Sequence, residues 1–253
     1  MSYLILAAEG TIGKSVLFNP ARYEYTGRSD SIGKGLIPVR MDNPRIVIFS
    51  GGRLGPWALE AVQPDDVLIG ADGGALFLID NGLRPDTALG DFDSVSPGQL
   101  REIRLRSGET LDCDPVDKDY TDTELAFRLA LTKRPASVLL LGVLGTRFDH
   151  SLANVHLLRT AARNGVEAMI VDEHNRIRLA AKELTLPASG FPYVSLLPLT
   201  PSVTGITLEG FRYPLREATL EIGQSLGISN VLEAETGIVR IRDGELLVIE
   251  SRD

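Results

Sequence analysis

Residues 67–94 read VLIGADGGALFLIDNGLRPDTALGDFDS, and this stretch decides the fold. Val67–Ile69 is a short apolar strand that runs into Ala71-Asp-Gly-Gly74. Ala75–Asn81 follows with a helical pattern, and Gly82 stands where a helix is closed by a left-handed residue. Thr87–Leu89 is apolar again and enters Gly90-Asp-Phe-Asp-Ser94. Working outward, the alternation persists. Ile46–Phe49 is a strand before the turn Ser50-Gly-Gly52. Thr121-Asp-Thr-Glu124 has the spacing of a capping box, with Leu125, Ala126, Leu129 and Ala130 at helical spacing behind it. Val138–Leu141 is a buried strand ending in Gly142-Val-Leu-Gly145. Residues 150–163 are amphipathic up to Asn164-Gly165, and Val166–Val171 is one more strand. Strands alternating with helices at this spacing predict a parallel, doubly wound, Rossmann-like sheet over residues 43–173.

The texture changes at His174. Arg176–Ala180, Tyr193–Leu199, Val203–Leu208, Thr219–Ile222, Ile238–Ile241 and Leu246–Glu250 are short β-rich runs parted by Gly, Pro, Asp and Asn. Asp243-Gly244 between the last two reads as a hairpin turn. No helical period survives there, so residues 174–253 are expected to form an all-β domain, a sandwich. The fold class is thus α/β followed by all-β. Residues 1–42 are polar and Gly-rich beyond a short apolar run and are set aside as an N-terminal extension without assigned role.

Composition removes several function classes. The 253 residues are 43% hydrophobic and 24% charged, with a formal net charge of −8. That balance, without any Lys/Arg run, argues against nucleic-acid binding. No apolar stretch approaches the ~20 residues of a membrane helix. The start Met1-Ser-Tyr-Leu lacks a basic n-region, and the single Cys113 has no internal partner, so a cytoplasmic protein is expected. Cys113 itself is expected to be inert.

The chemistry lies in the placing of aspartates. Asp72, then Asp91 and Asp93, then Asp149 each follow a predicted strand, while Asp117, Asp119 and Asp122 precede a helix start. Strand carboxyl ends of a doubly wound sheet share one rim, where ligands bind. Clustered carboxylates repel unless a cation neutralises them, and oxygen-only ligands suit Mg²⁺. Any single Asp at a turn is also what backbone capping selects. Pairs at several strand ends exceed that need. Gly73-Gly74 and Gly142…Gly145 allow the close backbone approach that an anion requires. Arg147 has two readings, a fork for a phosphate or an ion pair with a neighbouring Asp. Ala8-Glu-Gly-Thr-Ile-Gly-Lys-Ser15 imitates a P-loop, yet it has Ala at the first required Gly, and Pro20 breaks the helix it should open. His150 and His156 lie six apart on nearly opposite helix faces, which does not suit a metal pair.

Taken in order, Ala71-Asp-Gly-Gly74, Gly90-Asp-Phe-Asp-Ser94, Asp117-Lys-Asp-Tyr-Thr-Asp122, Leu144-Gly-Thr-Arg-Phe-Asp-His150, Leu196-Leu-Pro-Leu199, Gly210-Phe-Arg-Tyr-Pro-Leu215 and Gly227-Ile-Ser-Asn230 resemble the motifs of thiamine pyrophosphokinases from about Pro44 onward. The resemblance implies an α/β catalytic domain, a thiamine-binding β-sandwich, and a homodimer with active sites at the subunit interface. It also implies that Asp72, Asp91, Asp93, Asp119 and Asp122 surround Mg²⁺ and the ATP phosphates, with Asp91, Asp93 and Asp119 as metal ligands. Arg147 and Asp149 would line the same cleft. Tyr213, Ser229 and Asn230 match positions that contact thiamine from the partner subunit; some members carry Trp where this chain has Tyr213. The implied reaction is attack by the thiamine hydroxyl on the β-phosphorus of ATP with AMP leaving. Asp149 and Asp119 are both candidates for the base. The rival readings are a pyrophosphokinase for a pterin alcohol, a Mg²⁺-dependent phosphohydrolase, and a non-catalytic thiamine or nucleotide sensor.

Overall fold

The computed structural model describes residues 24–25, 43–113 and 120–253. In chain order these form β1 (Glu24–Tyr25), β2 (Arg45–Phe49), α1 (Pro56–Glu60), β3 (Val67–Ala71), α2 (Gly73–Asp80), β4 (Thr87–Gly90), α3 (Pro97–Arg106) and β5 (Glu109–Asp112). Then come α4 (Asp122–Thr132), β6 (Ser137–Leu141), α5 (Phe148–Arg163), β7 (Glu167–Val171), β8 (Asn175–Ala180) and β9 (Glu183–Pro187). The chain closes with β10 (Tyr193–Pro198), β11 (Ser202–Glu209), β12 (Ala218–Glu221), β13 (Asn230–Val231), β14 (Thr236–Arg240) and β15 (Leu246–Ser251).

The expected parallel sheet is present, with strand order β5-β4-β3-β2-β6-β7. Alternation within β2 and β6 divides two cores. Ile46, Ile48, Val138 and Leu140 pack with Leu125, Phe127, Leu157 and Leu158 of α4 and α5. Val47, Phe49, Leu139 and Leu141 face Ala58 of α1 and Leu78 of α2 on the other side. Helices on both faces are what near-continuous apolar strands require. The end of α2 follows its sequence signal. Gly82 sits at φ +78, its N–H bonds the Ile79 carbonyl, and Leu83 N–H reaches back to Leu78, which is a Schellman closure.

Two local expectations change. Thr121 caps α4 by accepting from Glu124 N–H at 3.2 Å, but the Glu124 carboxylate does not return the bond. It turns instead to Arg128, one helical turn on, at 2.9 Å. A complete capping box is found at α3, where Ser96 and Gln99 bond reciprocally with Pro97 at the first turn. Asp243-Gly244 is not a hairpin turn. β14 pairs with β11 and β9, whereas β15 pairs with β8 and β10, so the turn carries the chain from one sheet to the other.

The antiparallel part continues the first sheet without a break. β8 pairs antiparallel with β7, and β15, β10 and β13 follow it. A second sheet, β12-β11-β14-β9, covers one face of that extension. Leu186, Val203, Ile206, Leu208, Leu220 and Val239 from the second sheet meet Val194, Leu196, Leu246 and Val248 from the first, the core of a sandwich. Glu250 is 2% exposed at its edge and is held by Arg176 and Arg178. Arg159 of α5 pairs with Glu245 ahead of β15, tying helix to sandwich. At the opposite edge β1 pairs antiparallel with β5.

Candidate active site

The parallel part of the sheet starts at β2, builds outward through β3, β4 and β5, and then crosses to β6 on the other flank. The point of reversal therefore lies between the carboxyl ends of β2 and β6, where open α/β sheets bind ligands. A cleft of about 320 Å³ opens there. Its floor is two loops that continue the pairing of their strands. Ser50 N–H bonds the Leu141 carbonyl, Gly52 N–H bonds Gly142, and Arg53 N–H bonds Leu144. Its walls include Asp72, the α4 start at Thr121–Thr123, Arg147 just ahead of α5, and His150 and Asn154 on that helix.

Asp72 closes β3 with φ +49 and ψ −122. A non-glycine residue in this region costs roughly 1–3 kcal/mol and persists only where its surroundings hold it. Here its N–H is bonded to the Leu89 carbonyl at 2.8 Å, and Ser94 donates to Oδ2 at 2.6 Å. After β4, Phe92 at φ +53 is 4% exposed and anchored beside Ala75, Ile79 and Ile103. Burying Phe92 throws its neighbours Asp91 and Asp93 outward, and Asp93 N–H closes the turn on Asp91 Oδ1. Oxygens of Asp72, Asp91 and Asp93 consequently lie within 4.8 Å of one another.

This donor set fits a divalent cation. Among the described residues Asp72 Oδ1 is buried without a hydrogen-bond partner, a costly state for a carboxylate oxygen that a hard cation relieves. Asp122, half buried at the first turn of α4, is pushed up to about 6 by burial and then by the charges of Asp91 and Asp72. The ordinary value is 3.8, so the folded chain holds this proton more tightly than the unfolded one. Stability from this group is present at low pH and is lost as pH rises through about 6. Metal-free Asp122→Asn is expected to melt higher than the parent at pH 8 and at nearly the same temperature at pH 4. Added Mg²⁺ should narrow the gap at pH 8. Equal melting shifts at both pH values would contradict this reading.

Other residues singled out in the sequence fall as follows. Asp117 and Asp119 lie outside the described residues. Arg147 takes its ion-pair reading, donating to Asp149 through Nε at 3.2 Å and Nη2 at 2.6 Å while bordering the cleft. That fork holds the Asp149 carboxyl below its ordinary range. Gly142 and Gly145 line the cleft; Gly74 is packed under the Phe49 carbonyl. Cys113 is pushed up to about 12, by burial first and then by Asp122, which leaves it a protonated thiol. Tyr213 is largely exposed, and its main chain is clamped by Asn230, which accepts from Tyr213 N–H at 3.1 Å and donates to its carbonyl at 2.8 Å. Ser229 stands beside it at φ +58, its N–H on Ser195 Oγ. None of these three borders the cleft.

Sequence reasoning missed Ser50, Thr123 and Asn154. Ser50 Oγ and Thr123 Oγ1 share a 2.5 Å hydrogen bond that ties the end of β2 to the start of α4. Asn154 donates from its buried amide to the Val143 carbonyl at 2.7 Å. The Ser50-Gly-Gly52 turn was visible, but its place at the reversal of strand order was not.

Residues 59–170 match the family model described as thiamin pyrophosphokinase, catalytic domain, and residues 181–246 match thiamin pyrophosphokinase, vitamin B1 binding domain. The thiamine pyrophosphokinase of Bacillus subtilis is 32% identical over 193 residues, covering 73% of this chain and 87% of that protein. Its crystal structure superposes with a TM-score of 0.77 at 31% identity, over 83% of this chain and 99% of that one. The crystal structure of thiamin pyrophosphokinase from Geobacillus thermodenitrificans gives 0.75 at 31% identity, with 83% and 98% covered.

Proposed function

The chain belongs to the thiamine pyrophosphokinase family, and from that premise we propose that the cleft between β2 and β6 is where ATP surrenders its diphosphate to the hydroxyl of thiamine. The reaction is the ATP-dependent pyrophosphorylation of thiamine, giving thiamine diphosphate and AMP. The observation that carries the site assignment is the meeting of Asp72, Asp91 and Asp93 within 4.8 Å, with one buried oxygen unpartnered among the described residues, beside two glycine-bearing loops.

Asp72, Asp91 and Asp93 would hold Mg²⁺, with Asp119 as a further ligand; the bound ion supplies charge neutralisation and Lewis acidity to the phosphates. The loop from Gly142 to Gly145 offers backbone N–H groups to phosphate oxygens. Arg147 exchanges its fork between Asp149 and phosphate, since both present paired oxygens to the same donors. A cleft carboxylate takes the proton of the attacking hydroxyl; Asp149 is a weak acceptor while its ion pair with Arg147 holds. Most of the acceleration then comes from placement and charge.

We assign ATP binding to residues 43–173 and thiamine binding to residues 174–253. Tyr213 presents an aromatic face to the cationic thiazolium, with Ser229 beside it and Asn230 holding its backbone. These residues stand away from the cleft lining of their own protomer, which supports a homodimer whose sites combine both subunits. Exposed Phe148 and Leu152 on α5, and exposed Tyr213, Ile222, Leu226 and Ile228 on the sandwich, are apolar surfaces suited to such contacts. Among the described residues no helix is long and apolar enough to cross a membrane, and the reducing cytoplasm suits the single thiol. The pterin reading finds no support, since the second matched domain is one for vitamin B1; the phosphohydrolase and sensor readings find none, since the first is a thiamin pyrophosphokinase catalytic domain and the relatives are thiamine pyrophosphokinases.

Incubation with Mg²⁺, ATP and thiamine, followed by chromatography, tests the reaction. Thiamine diphosphate and AMP are expected together, and only when thiamine is present. Thiamine monophosphate with ADP would place attack at the γ-phosphorus and overturn the mechanism.

A further inference from the structure

The loop between β6 and α5 is held from two sides. Toward β2, its Gly142 and Leu144 carbonyls accept from Gly52 and Arg53. Toward α5, Asn154 Nδ2 donates to the Val143 carbonyl at 2.7 Å, and Ser151 Oγ accepts from Gly145 N–H at 3.1 Å. Asn154 is only 6% exposed and lies on a helix whose neighbouring core positions are Leu157, Leu158 and Ala161. An amide there is a poor helix former and costly to bury, so helix stability and core packing do not select it.

What the amide does is fix one peptide plane. In a trans peptide the carbonyl of one residue and the N–H of the next point in opposite directions. With the Val143 carbonyl drawn to Asn154, the Leu144 N–H is turned to the other side of the loop. Among the described residues that N–H carries no hydrogen bond, although Leu144 borders the cleft. A backbone donor left open in a loop otherwise bonded on both sides is a place for an anion's oxygen.

We propose that Asn154 is a positioning residue for the nucleotide: by holding the Val143 carbonyl it keeps the Leu144 N–H aimed at a phosphate oxygen of ATP. The inference rests on the reading of this cleft as the ATP site. Steady-state kinetics of Asn154→Ala, varying ATP and thiamine separately, test it. Losing one hydrogen bond to a charged oxygen raises the KM for ATP about tenfold or more, with the KM for thiamine within about twofold of the parent. Asn154→Leu, close in size and a better helix former, gives the same split if the alanine variant fails to fold. A parent enzyme that forms no thiamine diphosphate would defeat the reading of the cleft. A working parent whose folded variant keeps its KM for ATP, or shifts both KM values equally, would overturn the role of Asn154.

Discussion

Asp91→Asn and Asp93→Asn are each expected to lower turnover about a hundredfold or more, with melting temperature unchanged or slightly higher. Asparagine keeps the shape of the side chain and removes the charge. In the folded chain both carboxylates offer an oxygen within 4.8 Å of one on Asp72, and the charge of Asp91 also acts on Asp122, so a lost charge relieves repulsion when no metal is present. With Mg²⁺ and ATP the same loss removes a ligand and weakens the charge balance around the phosphates. The two effects have opposite signs and separate readouts. Thermal melts without metal report the first, and turnover at saturating ATP and thiamine reports the second. Near-normal turnover in both variants would remove this pair from the metal site, whatever the melts show.

Gly74→Ala should damage the fold, whereas Gly73→Ala, one position away, should leave it standing. A Cβ on Gly74 would lie 2.1 Å from the Phe49 carbonyl oxygen and 2.8 Å from Ser50 N. Both are backbone atoms at the end of the central strand, so neither can rotate aside. Either α2 lifts from the sheet or β2 moves, at a cost of about 3 kcal/mol. For a chain of this size that lowers the melting temperature by roughly 6–12 °C. A Cβ on Gly73 meets nothing nearer than Gly51 Cα at 3.7 Å, and Ala is the better helix former. Its melting temperature should hold or rise slightly. Equal losses in the two variants would mean that α2 does not seat on β2 as described.

Much of this was legible in the chain itself because the signals are local. Gly82 closes α2 because a left-handed residue is needed there, and that need is written in one position. The apolar runs 46–49 and 138–141 announce strands covered on both faces, and the β-rich runs after His174 fall within a residue or two of β8, β10, β11, β12, β14 and β15. Four strands, β1, β5, β9 and β13, escaped notice, as did α1 and α3; the Ser96-Pro-Gly-Gln99 signal of α3 was present but has Gly98 in its first turn. Asp243-Gly244 misled because a turn signal specifies a bend and not the strand that receives the chain.

The sequence by itself determined the elements, their class, and the kinds of side chain that would do the chemistry, since propensity, period and residue type act over a few positions. Which residues meet was decided only in three dimensions. Ser50 bonds Thr123 across 73 positions, and Arg147 turned to Asp149. Asn154 looked like one polar residue on an amphipathic helix until its partner proved to be a loop carbonyl. Strand order is set by how apolar faces are shared among all the helices at once, and no local stretch carries that information.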